Sequence, residues 1–154
     1  MREFLAAVRQ SRRLHHPWVH PPGTEAAYRA FVRRSRSASH AAYLIRLRAS
    51  RELVGVANLS EIVRGALRSA YLGYYMFAPH ERQGLMREGL MLVIRQAFAR
   101  LRLHRLEANI QPGNLASRRL VRSLGFRREG YSRRYLKIGG RWRDHERWAL
   151  LADE

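Results

Sequence analysis

One segment of the sequence combines residue types that suit the binding of a phosphate group. Residues 78–86 read Ala-Pro-His-Glu-Arg-Gln-Gly-Leu-Met and join an aromatic-rich apolar run to a long run with helical apolar spacing. A helix that begins after Gly84 leaves backbone N–H groups unpaired and presents the positive end of its dipole. Gly84 allows close backbone approach, and Arg82 and Arg87 can add charge-assisted hydrogen bonds. The segment predicts an anion site suited to a pyrophosphate, although an ordinary strand-to-helix turn has the same composition.

A second polar motif lies further along the chain. Asn114 and Ser117 open a segment with helical apolar spacing, and Gly125 and Phe126 close it. Asparagine at an N-cap accepts a hydrogen bond from a backbone N–H of the first turn, and glycine supplies a left-handed end. Taken alone, the motif indicates the two ends of a helix and no chemistry.

The apolar periodicity places both motifs in a mixed α/β fold. Helical spacing covers residues 3–14 and is clearest from Met86 to Leu101. Thr24 is a candidate cap for a helix that would bury Ala27, Tyr28, Phe31 and Val32. The helix after Asn114 would bury Leu115, Leu120, Val121 and Leu124.

The remaining apolar runs have the composition of strands. The predicted strands are 42–48, 52–59, 69–77, 106–110, 130–138 and 142–151. The first three favour an antiparallel meander, and residues 69–110 favour a parallel strand–helix–strand crossover. Gly139 and Gly140 predict a turn between the last two strands. With no linker or repeat, residues 1–154 are predicted to be a single domain.

Composition excludes several classes of protein. Without cysteine there is no disulfide scaffold, thiolate nucleophile or cysteine-ligated zinc. The seven histidines show no ligand spacing, so no metal is predicted. No apolar run approaches the ~20 residues that span a bilayer, and arginines interrupt any apolar leader, so a cytoplasmic protein with no membrane contact is expected. The net charge of +18, almost all of it arginine, predicts attraction to polyanions, although a coding bias gives the same composition.

Five stretches resemble, in order and spacing, the GNAT superfamily of acetyl-CoA-dependent N-acetyltransferases, and more narrowly the RimJ-type ribosomal-protein-alanine N-acetyltransferases. They are Val63-Arg-Gly65, Tyr71-Leu-Gly-Tyr74, Gln83-Gly-Leu-Met86, Asn114-x-x-Ser117 with Leu124-Gly-Phe126, and Gly140-x-Trp-Arg-Asp-His145. The resemblance implies the GNAT fold, a mixed and mostly antiparallel sheet flanked by helices. Compared with a full domain of this family, the first strand is expected to be missing, by about 20 residues. Either the true start lies upstream of Met1, or the sheet edge is open or filled by a partner chain, and a homodimer is one of the possibilities.

The resemblance also implies acetyl-CoA as co-substrate and assigns residues to it. Backbone amides from Arg82 to Arg87 would hold the diphosphate, in a loop where Glu81 replaces the Gln or Arg that the family prefers. Met76 and Phe77 would pair with the pantetheine arm like an extra strand. The full set implied for coenzyme A is Met76, Phe77, Arg82, Gln83, Gly84, Leu85, Met86, Arg87 and Asn114.

Three residues are candidates for catalysis. Glu107, on the strand after the long helix, is the candidate base, although an ion pair with one of the many arginines also accounts for it. Ser117 is the position that the resemblance offers as acid for the thiolate, and it also fits a first-turn helix residue. Tyr135 is the third candidate and also fits half-buried strand packing. Asp144 and His145 should point to opposite faces of a strand and not pair.

These residues lead to one predicted function and two alternatives. The first is acetyl transfer to a primary amine, in particular the N-terminal amine of a protein such as a ribosomal protein. The second keeps the chemistry and takes a small amine or antibiotic as acceptor. The third is a catalytically impaired basic module that binds RNA or the ribosome, which the charge of +18 favours.

Overall fold

The computed structural model describes residues Met1–Glu154. Five helices and six strands follow one another along the chain and form an α/β fold. The helices are α1 (Arg2–Gln10), α2 (Arg12–His15), α3 (Glu25–Arg34), α4 (Leu85–Ala99) and α5 (Leu115–Ser123), and the strands are β1 (Ala41–Arg46), β2 (Leu53–Val63), β3 (Ser69–Met76), β4 (Arg105–Ile110), β5 (Arg127–Ile138) and β6 (Arg141–Leu151). No helix combines the length and the apolar composition that crossing a membrane requires.

All six strands form one mixed sheet in the order β1-β2-β3-β4-β6-β5. Only β3 and β4 are parallel, and α4 connects them. The predicted meander and the predicted parallel pairing are therefore confirmed. β1 and β5 are the two edge strands, each paired on one side.

Helices pack on both faces of the sheet. On one face, α4 buries Leu90 and Val93 against alternate residues of β2, β3 and β4, such as Leu106. On the other face, α1 buries Phe4 and contributes to a smaller cluster with β2 and β3. The long apolar stripe predicted from Met86 onwards is confirmed, because its members fill the larger core.

Two predicted helical details are wrong. Residues 3–14 are not one helix, because the hydroxyl of Ser11 donates to the Ala7 carbonyl (2.7 Å) and α1 ends there. Leu115 is 54% exposed and not part of the buried face of α5. The rotation from Leu115 to the buried Val121 is about 240° on an ideal helix, which turns Leu115 away from the sheet.

The predicted cap of α3 is confirmed, and its predicted burial is not. The Thr24 hydroxyl accepts a hydrogen bond from the Ala27 N–H (3.2 Å). No residue of α3 is fully buried, although Tyr28 and Phe31 pack against the smaller core. The helix therefore covers that core only in part.

The contact between α4 and β1 gives a stability prediction. A Cβ atom at Gly89 would lie 2.6 Å from Cγ2 and 2.7 Å from Cδ1 of Ile45. Alanine is favoured over glycine in a helix by about 0.5–1 kcal/mol. The sign of the change in stability therefore depends on whether the Ile45 side chain leaves room for the added methyl group. We expect Gly89→Ala to lower the free energy of unfolding by about 1–3 kcal/mol through overpacking.

In an Ile45→Ala background, Gly89→Ala should instead raise the free energy of unfolding. Urea unfolding of the four proteins completes the double-mutant cycle. An equal loss in both backgrounds would contradict the contact.

Candidate active site

The central feature of the site is a fork between β3 and β4. The two strands pair only at Ser69–Arg105, Ala70–Leu106 and Tyr71–Glu107. β3 continues to Met76 and keeps its antiparallel partner β2, while its opposite side has no strand partner beyond Tyr71. Backbone N–H and C=O groups in the middle of the sheet are thus left for an extended ligand to pair with.

The N-terminus of α4 follows the open end of β3. Gly84 is its N-cap, in the left-handed region (φ 78°), and no side chain caps the helix. The amides of Leu85, Met86 and Arg87 therefore have no acceptor within the helix. Space around Gly84 is open, since a Cβ atom there would meet no heavy atom within 4 Å. This arrangement fits an anion bound by backbone amides.

Side chains of the α4 loop mostly support its backbone. The Gln83 side-chain amide donates to the Pro79 carbonyl (3.2 Å). Met86 is 6% exposed and packs on β2 where Gly55 leaves room, since a Cβ atom at Gly55 would lie 2.6 Å from Met86 Cε. Arg82 is exposed without an ion pair and is the side chain free to meet an anion. Arg87 instead reaches toward the Ser123 carbonyl at 3.5 Å.

A pair of hydroxyl groups links β3, one arm of the fork, to helix α5, which follows the other arm along the chain. Tyr74 lies on β3 and Ser117 in the first turn of α5, and their side-chain oxygens are 2.6 Å apart. The Asn114 side chain accepts from the Ser117 N–H (3.1 Å), so Asn114 acts as the predicted cap and fixes Ser117 in place. Burial raises the pKa of Tyr74 to about 12, although the bond to Ser117 opposes the shift, so this phenol is protonated at neutral pH.

The other face of the sheet holds the remaining catalytic candidates. Tyr71 and Tyr135 share a hydrogen bond of 3.2 Å, which is the main cause that raises the pKa of Tyr71 to about 12. Glu107 is the register partner of Tyr71 and accepts from Arg105 Nε at 2.8 Å, so the ion pair foreseen as its alternative is present. Because side chains alternate along a strand, Tyr71 and Tyr74 lie on opposite faces. The structure thus groups Glu107 with Tyr135 and separates both from Ser117.

Helix α2 is tied to the end of β3 by a histidine. His15 is 4% exposed, and its Nε2 donates to the Met76 carbonyl (2.8 Å). The Ser11 hydroxyl accepts from the Ala78 N–H (3.0 Å) close by. Sequence reasoning missed His15, because it considered histidines only as metal ligands.

The same contacts restrict what β3 can offer to a ligand. Phe77 donates its N–H to the Val54 carbonyl (2.7 Å), and its own carbonyl accepts from His80 (3.2 Å). Because N–H directions alternate along a strand, the Met76 N–H points away from β2 and into the fork. Of the two residues predicted to pair with pantetheine, Met76 therefore has a free N–H and Phe77 has none.

An open cleft of about 370 Å³ adjoins the β4–α5 connection. Its walls come from the loop after α2, from that connection and from the last two strands. They are formed by Trp18, Gln111, Pro112, Gly113, Tyr131, Trp142, Arg143 and Asp144. The Asp144 carboxylate accepts from the Tyr131 hydroxyl (2.6 Å) and the Arg134 N–H (2.7 Å), and the Tyr131 bond is the main cause that lowers its pKa. The cleft thus combines aromatic walls with one ionised carboxylate.

Asp144 and Trp18 both line this cleft, and the sequence predicted something of the first but not of the second. Asp144 and His145 have different partners, as predicted, since the His145 ring packs against Tyr135. Trp18 was missed because it lies in a proline-rich loop without periodicity. It is held by Gln111, whose side chain donates to its carbonyl (3.3 Å), and its ring lies against Gly113.

Comparison with known proteins agrees with this architecture. The model of the acetyltransferase (GNAT) domain family matches residues 2–127. The chain is 44% identical over 104 residues to the [ribosomal protein uS5]-alanine N-acetyltransferase of Escherichia coli, covering 68% of this chain and 54% of that protein. It is 43% identical over 99 residues to the probable N-acetyltransferase YjcK of Bacillus subtilis, covering 64% of this chain and 55% of that protein.

A solved structure shows the same fold. Mycobacterium smegmatis RimJ in complex with CoA-disulfide superposes with a TM-score of 0.86 at 29% identity, covering 99% of this chain and 78% of that chain. The protein is therefore a member of the GNAT acetyltransferase family, with the family's α/β fold. The chain spans about half the length of the curated relatives that it matches.

The turn at Gly84 gives a binding prediction with a matched control. Gly84→Ala places a Cβ atom on a left-handed residue, at a cost of about 1–2 kcal/mol, and should weaken binding of coenzyme A at least 5-fold as the amides shift. Gly65 has a similar φ of 68° and equally open surroundings. Gly65→Ala should cost similar stability and leave binding unchanged. Calorimetry with coenzyme A measures both, and equal effects on binding would contradict the site.

The buried histidines give a prediction about pH. Burial lowers the pKa of His15 and of His145 below the ordinary value, although hydrogen bonds to backbone carbonyls oppose this. The unfolded chain therefore binds more protons below about pH 6.5, and stability should fall as the pH drops from about 7 to about 5. His15→Gln should make this fall in stability shallower, and protonation of His145 should account for the part that remains. Urea unfolding at several pH values measures it, and an unchanged pH dependence would contradict the neutral, buried state of His15.

Proposed function

We propose that this protein transfers the acetyl group of acetyl-CoA to the N-terminal amine of a polypeptide. The observation that carries the proposal is the fork between β3 and β4, with free α4 amides at its open end and the Tyr74–Ser117 hydroxyl pair beside it. Relatives named as ribosomal-protein-alanine N-acetyltransferases support the same reaction.

The residues at the fork fit acetyl-CoA. Acetyl-CoA supplies a reactive thioester, a diphosphate and an extended arm with two amide groups. The amides of Leu85–Arg87 would hold the diphosphate, with Arg82 as an additional donor. The unpaired side of β3, including the Met76 N–H, would hydrogen-bond the arm as a neighbouring strand does.

Removal of a proton from the acceptor amine is assigned to the face of the sheet that carries Glu107, Tyr71 and Tyr135. An α-amine has a pKa of about 7.7–8.0, so a weak base or a water chain suffices near neutral pH. Glu107 would accept this proton, directly or through a water held by the Tyr71–Tyr135 pair. The Tyr71 phenol itself stays protonated, since its pKa is raised to about 12.

The departing sulfur is assigned to the opposite face, where Tyr74 and Ser117 meet. If Tyr74 donates to Ser117, the hydroxyl hydrogen of Ser117 is free to point into the fork. A thiol has a pKa of about 8.5, well below the value of about 12 for Tyr74. Full proton transfer from the phenol would therefore be uphill, and the pair would stabilise negative charge on sulfur by hydrogen bonding.

The cleft beside the fork is the proposed entry for the acceptor. Trp18 and Trp142 would flank the chain end, and the Asp144 carboxylate would attract its ammonium group before it loses a proton. A ribosomal protein is the proposed acceptor class. Association with ribosomes in the cytoplasm is part of this proposal.

The test is mass spectrometry of N-terminal peptides incubated with acetyl-CoA. Tyr74→Phe and Ser117→Ala should each lower kcat by roughly 10²-fold, with little change in KM for acetyl-CoA, because the lost hydrogen bonds act on the departing sulfur. Tyr43→Phe and Ser123→Ala are controls, since Tyr43 is partly buried elsewhere and the Ser123 hydroxyl bonds only to the Leu120 carbonyl within α5.

Unchanged kcat in both Tyr74→Phe and Ser117→Ala would contradict the role of the pair. Acetylation of spermidine with no peptide modified would overturn the acceptor class and leave the chemistry standing. No acetylation of any amine would overturn the proposed function.

A further inference from the structure

The hairpin formed by β5 and β6 carries a concentration of basic residues that the acetyl-transfer site does not use. Between Arg127 and Arg147 it holds eight basic and three acidic residues. The match to the GNAT family model ends at residue 127, where β5 begins. We propose that residues 131–143, here called the outer hairpin, bind single-stranded RNA.

The positive charge of the outer hairpin is only partly offset within the protein, by Asp144, whose pKa is lowered in part by the nearby charges of Arg133 and Arg134. The three nearby carboxylates are already engaged: Glu129 with Arg105, Glu146 with Arg118 and Arg128, and Asp144 with Tyr131 and a backbone N–H. The outer hairpin has five cations, all exposed and none in an ion pair. They are Arg133, Arg134, Lys137, Arg141 and Arg143. A phosphate backbone is the partner that supplies such a row of negative charges.

Exposed aromatic rings stand among these cations. Trp142 is 61% exposed, more than any other large apolar side chain in the protein, and Tyr131 is 46% exposed. Lys137 lies directly opposite Trp142 in the β5–β6 register. Aromatic faces beside cations are the surface on which unpaired bases stack while their phosphates are held. This combination favours RNA over polyanions that have no bases.

Protection of the sheet edge does not account for the whole pattern. Basic residues on an edge strand discourage pairing with another sheet, and this role suits β5. Arg141 and Arg143 lie on the part of β6 that pairs only with β5, so their charges can protect that edge as well. Trp142 lies between them and is 61% exposed, and an exposed apolar ring is not explained by edge protection. The β5 pairing is also irregular between Arg128 and Gly130 and between Ser132 and Leu136, so a peptide strand could not add smoothly to this edge. Binding of a partner to the outer hairpin would therefore depend on its side chains and not on backbone hydrogen bonds at the edge of β5.

The position of the outer hairpin connects RNA binding to the acceptor cleft. Tyr131, Trp142 and Arg143 belong to the outer hairpin and also line the cleft. With a net charge of +18, the protein repels an acceptor that is itself basic enough to bind RNA. RNA held by the outer hairpin would lie between the protein and such a basic acceptor and bring the acceptor terminus to the cleft. RNA binding itself does not rest on the proposed acetyl transfer.

Fluorescence anisotropy with a labelled single-stranded RNA of twelve nucleotides, without acetyl-CoA, tests the proposal. The triple variant Lys137→Gln/Arg141→Gln/Arg143→Gln should weaken binding and make the slope of log K against log salt shallower by about 2, since each phosphate contact contributes about 0.7 on a single strand. The control Arg9→Gln/Arg95→Gln/Arg100→Gln removes the same charge from exposed helix and turn positions and should leave the slope unchanged. Equal effects of both triples would overturn the proposal.

Trp142 separates RNA from other polyanions. Trp142→Ala should lower affinity for RNA roughly 10-fold, Trp142→Phe should restore most of it, and neither should change heparin binding. Far-ultraviolet circular dichroism of each variant confirms that the fold is kept. RNA affinity insensitive to Trp142, or tighter binding to vesicles of anionic lipid than to RNA, would overturn the proposal.

Discussion

The structure depends on one interruption in an otherwise continuous sheet. β3 and β4 pair over three residues and then separate, although both strands continue. Unpaired backbone groups inside a sheet are costly unless a ligand or water pairs with them. Contacts outside the fork fix the position of β3 and of the helix that follows it. α4 connects the arms and packs on β2 through Met86 and Gly55, and α2 is bonded to Met76 through His15.

The fork also explains how the candidate groups are distributed. Alternation along β3 sends Tyr71 to one face of the sheet and Tyr74 to the other. A thioester lying between the arms would thus have Glu107 and the Tyr71–Tyr135 pair on one side and the Tyr74–Ser117 pair on the opposite side. In the proposed reaction, proton removal from the amine and stabilisation of the sulfur would then be separated in space, which would keep the base from quenching the acid.

Sequence patterns predicted the parts of the fold that local rules determine. The apolar stripe of α4, the three-stranded meander and the caps at Thr24 and Asn114 follow from periodicity and capping chemistry. The turn at Gly84 was predicted for the same reason, because a left-handed residue before a long helix has few alternatives.

Contacts between residues distant in sequence were not predictable in this way. The break at Ser11, the tether of His15 and the cleft wall at Trp18 depend on loops meeting after folding. In the sequence Tyr74 stands out only as part of the Tyr71-Leu-Gly-Tyr74 stretch, since nothing local shows that its hydroxyl meets Ser117. Phe77 was predicted to pair with a ligand, but Val54 and His80 already take its backbone groups.

The central claim is that the fork and the start of α4 together form one binding groove. The most direct measurement is a titration of the ¹⁵N-labelled protein with coenzyme A, followed by backbone amide chemical shifts. If coenzyme A occupies this groove, the amides of Leu85–Arg87 and of Met76 should shift together, with one affinity, while the Phe77 amide, bonded to Val54, should move least among its neighbours. Shifts confined to the α4 loop, with β3 unaffected, would contradict that claim.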